Sequence, residues 1–311
     1  MRNKIGKLGR FADVVSDAGF KAVFCDRQNK DVVRDLLNVF LPPGRKVASF
    51  RLMRTELPGK TDKNKTIRID LRCVTVEGTE IIIEMQNYSQ QYFFRRCLYY
   101  ASKVYESKLK AGKKKKQGEY VEYNVPPVYM VALLNVPNKH LIEPEDKEKY
   151  VFEYAFREKD TLEVPDETIS IIFVELNRFA KPLSGCVNAV DKWCYVLKHI
   201  GGLENKPEEL AADEFDRLFR AAEIAHFNEE KRRDYEEDIM RERDYWAQLK
   251  YATDSGVEQG LAKGRVEGQE IEKRKTAINL KAKGMSFDFI LDVTGLTEDE
   301  QKKILTCYSG Q

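Results

Sequence analysis

The chain has 311 residues, is 42% hydrophobic, and carries 53 Lys or Arg against 51 Asp or Glu, a formal net charge of +2. That length accommodates one core of about 150–200 residues plus an appended segment. So balanced a charge excludes a polycation or polyanion, and a charged partner must be read from local clusters. No apolar run approaches the ~18 residues of a membrane span, and Met1-Arg2-Asn3-Lys4 leads into no signal-type apolar block, so a cytoplasmic protein is expected. Six cysteines (25, 73, 97, 186, 194, 307) form no C-x-x-C pair and have no His at zinc-site spacing. The three histidines, His140, His199 and His226, have no nearby Ser or Cys that would suggest a triad.

In chain order, Phe20, Val23, Phe24 and then Val32, Val33, Leu36, Leu37 and Phe40 recur at helical spacing and predict two helices, ended by Pro42-Pro43-Gly44. Residues 51–66 are polar and less regular. Two runs rich in Ile, Val and Thr follow, Thr66 to Val76 and Thr79 to Gln86, with a Glu77-Gly78 turn signal between them, and they predict a β-hairpin. A three-residue loop, Val76-Glu77-Gly78, has the odd parity that sets Asp70 opposite Glu84, with Gly78 free to take the left-handed position. Directly opposed side chains have β-carbons about 4.5–5.5 Å apart, close enough for two carboxylates to share one hard cation. Gln86 projects from the same face as Glu84 by strand alternation. The alternative reading pairs Asp70 with Arg68 or Arg72 and leaves Glu84 at a solvated strand end.

Residues 90–110 predict a helix with Phe93, Cys97, Tyr100, Ala101 and Val104 on one face. Between Arg95 and Gly118 stand nine Lys or Arg against one Glu. Arg95, Arg96, Lys103 and the run Lys113, Lys114, Lys115 and Lys116 are the candidates for contact with a DNA phosphate backbone; a solvated charged loop is the ordinary account of the four lysines. Tyr99, Tyr100 and Tyr105 fall at core-like spacing and are not expected to stack on bases.

Val125 to Asn135 and Ile169 to Leu176 read as buried strands, and Phe152, Tyr154 and Phe156 alternate as an edge strand would. The order helix, hairpin, helix, strand implies an α/β fold, a mixed sheet flanked by helices. From about Pro182 the pattern turns helical, and three parts are expected: 1–181, a helical layer over 182–252 packed on or beside it, and 253–311. In the last part Gly256, Gly260, Gly264 and Gly268 recur every four residues. A helix there costs about 1 kcal/mol per glycine against alanine; it either meets a partner helix, as in a homodimer, or is a flexible connector. Ser286 can cap a helix from Phe287 to Val293 that Gly295 ends, and Thr297 with Glu300 forms a capping box for a last helix to Leu305.

Asp70 followed by Glu84-Met85-Gln86 resembles the D…E-x-Q signature of the PD-(D/E)XK nuclease family transposases, the recombination-promoting nucleases. Three further stretches agree with that family in order: Asp17-Ala18-Gly19-Phe20-Lys21 with Phe24 and Leu37-Asn38, the helix Tyr92-Phe93-Phe94-Arg95-Arg96-Cys97-Leu98-Tyr99-Tyr100, and Pro126-Pro127-Val128-Tyr129. The Gly-rich tail and Thr294-Gly295-Leu296 are similar too. Arg95 departs from a position that is commonly acidic, and Ile69 replaces the motif proline.

The resemblance implies a restriction-endonuclease-like core and a metal-dependent DNA endonuclease tied to recombination or transposition. Asp70 and Glu84 would hold Mg2+, or Mn2+ in its place. An early acid can complete the metal shell in such proteins, and Glu56 is the nominee, with a solvated loop glutamate as the plain alternative. Gln86 stands where the wider superfamily has a lysine that holds the attacking water, so a cation such as Arg96 or Lys103 would have to serve. The competing expectation is a DNA-binding or assembly protein that keeps this fold without turnover.

Overall fold

The computed structural model describes residues 9–57, 66–111, 123, 125–137, 145–297, 299–300 and 302–303. The chain forms two units, residues 1–239 and 240–311. In the first, Ser16 caps helix α1 (Asp17–Phe24) by accepting the Gly19 amide at 2.9 Å. Helix α2 (Lys30–Phe40) follows, and both helices bury the apolar positions that their spacing marks out. Next come β1 (Phe50–Leu52), β2 (Glu56–Leu57), β3 (Ile67–Arg68), β4 (Leu71–Thr75) and β5 (Glu80–Gln86). Helix α3 (Phe93–Ala111) precedes β6 (Val128–Leu134), β7 (Val151–Ala155) and β8 (Ile169–Glu175). Helices α4 (Ala189–His199) and α5 (Asp213–Ala222) lead into α6 (Glu229–Ala282), and α7 (Phe287–Thr294) belongs to the second unit.

Six strands make one mixed sheet in the order β1-β4-β5-β6-β8-β7, parallel across β5-β6-β8 and antiparallel elsewhere. Every residue of β5, β6 and β8 is buried, as strands covered on both faces should be. One face packs α1, α2, α4 and α5, with Trp193 and Phe215 inaccessible to solvent or nearly so. The other face packs α3 through Phe93, Cys97, Ala101 and Val104. Helices α4 and α5 thus share the sheet's core.

Two expectations need correction, and an alternative left open is decided. The run from Thr66 to Val76 is not one strand: it breaks at Ile69-Asp70, and its first part, β3, pairs with β2 in a separate two-stranded sheet. The polar stretch after Phe50 contains β1, an edge strand paired with β4, so partial burial concealed a real strand. The four glycines lie inside α6, which runs unbroken from Glu229 to Ala282, rather than in a connector. No atom lies within 4 Å of where a β-carbon would sit at any of them. In the second unit Ser286 and Gly295 cap α7 as expected, Gly295 at φ +61°. The Thr297–Glu300 capping box forms, with the Thr297 amide donating to Glu300 at 2.8 Å; the helix end at Leu305 lies outside the described residues.

Candidate metal and nucleic-acid site

The β4–β5 hairpin has the register that loop parity predicts. Leu71 faces Ile83 and Val74 faces Glu80, and Gly78 takes φ +88° in the three-residue loop. Extended by one rung, this register sets Asp70 against Glu84, at the bend where β4 begins. There each carboxylate accepts a hydrogen bond from the other's strand: the Asp70 amide donates to Glu84 Oε1 at 3.2 Å, and the Met85 amide to Asp70 Oδ2 at 2.9 Å. The two acids share the sheet face covered by α3, on which Arg72, Glu80, Ile82 and Gln86 also lie.

The alternative pairings of Asp70 are closed off. Arg68 pairs with Glu56 at 3.1 Å, and Arg72 with Glu80 at 3.0 Å. Glu84 is only 4% exposed, so it is no solvated strand end. Its cation is Arg96, whose Nη2 lies 3.7 Å from Glu84 Oε2 and donates to Gln86 Oε1 at 2.8 Å. Arg96 also donates to Gln90 and lies over the Phe93 ring. Burial and the neighbouring Asp70 push the Glu84 carboxyl up to about 8. Asp70 is raised as well, by burial first and then by the charge of Asp17, against the pull of the Met85 amide, Lys21 and Arg96. One arginine does not neutralise both a buried Glu84 and a partly buried Asp70.

Glu56, the nominated third acid, is mostly exposed and held by Arg68 in the small sheet. Asp17, in the first turn of α1, is the acid whose field reaches both Asp70 and Glu84. It forms an ion pair with Lys21 at 2.6 Å, and Cys25, two turns from Asp17 along α1, donates to the Asp70 carbonyl at 3.4 Å. The i, i+4, i+8 spacing of Asp17, Lys21 and Cys25 is the sequence signal that could have found this polar edge of α1. Among the described residues no three His, Cys, Asp or Glu side chains stand close enough together to hold a metal. The donors present are therefore the Asp70–Glu84 pair, hard oxygen ligands of the kind Mg2+ and Mn2+ accept.

The predicted DNA contacts separate in the structure. Arg95 is exposed with its guanidinium against the Tyr92 ring. Lys103 pairs with Glu106 at 3.4 Å. Arg96 is already engaged inside the site, and its Nε is buried with no hydrogen-bond partner. Lys113, Lys114, Lys115 and Lys116 lie outside the described residues. Of the tyrosines, Tyr99 does not follow its core-like spacing: it faces solvent, because Cys97, Ala101 and Val104 take the buried stripe. Burial pushes the Cys25 and Cys73 thiols up to about 12, which keeps them protonated and inert.

A mixed six-stranded sheet with flanking helices, and two carboxylates at the start of its antiparallel hairpin, define a nuclease-type α/β fold. Residues 14–252 match the PD-(D/E)XK nuclease family transposases, more than half of the chain, and the protein belongs to that family. No curated protein and no solved structure matched it. The family implies a nuclease-like role on DNA in recombination or transposition and, generally, the use of divalent metals. Among the described residues no helix is long and apolar enough to cross a membrane.

Proposed function

We propose that the protein is a Mg2+-dependent DNA endonuclease that hydrolyses phosphodiester bonds during recombination or transposition in the cytoplasm. The observation that carries this reading is the Asp70–Glu84 pair: a buried Glu84 and a partly buried Asp70, each bonded to the other's strand, both raised, with Arg96 3.7 Å from Glu84. Such a pair is costly in a folded protein unless a cation joins it. Asp70 and Glu84 would hold the ion through their carboxylate oxygens. When bound, Mg2+ or Mn2+ supplies polarisation of the scissile phosphate and acidifies the attacking water.

The remaining roles fall to the chain. Gln86 accepts from Arg96 and donates to the Tyr88 carbonyl, so both ends of its amide are in use. It acts as a positioning residue for Arg96 rather than as a substitute for the superfamily lysine. The charge of Arg96 offsets the negative charge that grows on the phosphate in the transition state. Asp17 adds its negative field to the pair from α1 while paired with Lys21. Arg95, Lys103 and the four lysines from Lys113 to Lys116 hold the backbone through salt-sensitive contacts.

A second reading, a DNA-binding or assembly module without turnover, draws support from two facts: Gln86 stands in place of lysine, and only two acids are assembled. The C-terminal helices, with open space beside their glycines, would join two copies in a homodimer under either reading. Plasmid nicking with Mg2+ or Mn2+ separates the readings. Nicking that Asp70→Asn abolishes in a folded protein supports the nuclease; DNA binding without nicking at any concentration of either ion supports the module.

A further inference from the structure

Helix α3 and the turn that leads into it carry a second, solvent-facing row. Opposite the stripe of Phe93, Cys97, Ala101 and Val104, Tyr92 and Tyr99 are 53% and 47% exposed. Each has a cation against its ring: the Arg95 guanidinium 5.3 Å from the Tyr92 centroid, and Lys103 Nζ 5.6 Å from that of Tyr99. Two half-exposed aromatic rings, each flanked by a positive charge, form an amphipathic surface that is complementary to an anionic aromatic polymer.

Tyr92 is also held in the left-handed region, at φ +61°. A bulky L-residue there costs on the order of 1–3 kcal/mol, and strain of this kind gathers at ligand-contacting positions. Its carbonyl accepts the Arg96 amide at 3.1 Å, so the ring is anchored one helical turn before the arginine that reaches Glu84 and Gln86. The row is therefore continuous with the site.

We propose that the outer face of α3, formed by Tyr92, Arg95, Tyr99 and Lys103, is a binding surface for unpaired nucleotides. Bases stack on the two tyrosine rings while Arg95 and Lys103 hold the phosphates between them. This rests on the reading of DNA as substrate and narrows its class to DNA with a single-stranded or distorted segment beside the bond to be cut. An intact duplex shows the protein only base edges and backbone, which the cations can use and the rings cannot. Stacking needs no particular base, so the selectivity is for strand state rather than sequence.

The test uses the full chain with metal chelated, and compares fluorescence anisotropy of a short labelled single strand with that of its duplex. Tyr92→Asn removes the ring and tolerates the left-handed backbone; Tyr99→Leu removes the ring and suits a helix. Each is expected to weaken single-strand binding about fivefold or more, with duplex binding changed less than twofold. Tyr92→Phe and Tyr99→Phe keep the stacking face and are expected to bind as wild type. Equal losses on both substrates, no loss, Phe variants as weak as the ringless ones, or a wild type without single-strand preference would each overturn the proposal. Chelation separates the result from catalysis: absent nicking leaves the surface standing, and absent strand preference leaves the nuclease reading standing.

Discussion

The two ends of one hairpin solve the same problem in opposite ways. Near its turn, Glu80 is buried beside Arg72, which binds it with Nε at 3.0 Å and Nη2 at 3.3 Å, the two-pronged geometry of a satisfied pair. At the far end, on the same sheet face, Glu84 is equally buried but lies beside another acid, with Arg96 only 3.7 Å away and shared with Gln86. The fold can neutralise a buried acid with an arginine and does so a few residues away. This uneven treatment of equivalent positions supports the proposed cation at the second.

Breaking the satisfied end gives the largest expected effect. Arg72→Met leaves Glu80 buried without its cation and is expected to cost about 3–5 kcal/mol, read as a fall in the denaturation midpoint. Because Arg72 binds Glu80 rather than Asp70 or Glu84, the molecules that remain folded should still nick DNA. The reverse pattern is expected at the other end: Asp70→Asn lowers nicking by about a hundredfold or more, as loss of a metal-holding side chain does, with the fold intact. A loss of stability there, or full activity, would erase the contrast.

The pH dependence sharpens it further. Glu84 has a folded value of about 8, above the ordinary value of 4.5, so the folded chain binds the proton more tightly than the unfolded one. Its contribution to stability is present below the ordinary value and is lost as pH rises towards 8. With metal chelated, the midpoint is expected to fall between pH 5 and 8, and Glu84→Gln to remove that slope and stabilise the protein by on the order of 1–2 kcal/mol at the alkaline end. Added Mn2+ should restore wild type most at high pH and leave Asp70→Asn unchanged. A flat midpoint in chelated wild type would count against the repulsion. The smallest effect belongs to the turn that sets the register. Gly78→Ala meets both a left-handed φ and Pro126 at 3.1 Å, and should cost about 1 kcal/mol without abolishing nicking.

Most of what was legible in the sequence was local. Loop parity between Thr75 and Thr79 sets the register, continuous apolar runs mark β6 and β8, and Ser286, Gly295 and Thr297 punctuate the tail, because each depends on neighbours a few residues away. What escaped depends on contacts distant along the chain. Nothing near Glu56 says that Arg68 will hold it, and nothing near Asp17 says that α1 will bring it towards Asp70, 53 positions on. Tyr99 misled for a related reason: its spacing fits the buried stripe of α3, yet smaller side chains fill that stripe. The glycines of α6 left helix and connector open in the sequence, since local propensity argues against a helix that the structure continues through all four.

Both acids of the site come from a single hairpin, joined by a three-residue loop. Hairpins of this kind close in about 1–10 microseconds, long before distant helices dock. In the open hairpin water screens the two charges from each other; only when α3 settles over the face is that screening withdrawn. Under the proposed function the repulsion falls on one late step of folding, the seating of α3, and a divalent ion would hasten that step. Refolding followed with and without chelator would show it as a faster final phase in the presence of the ion.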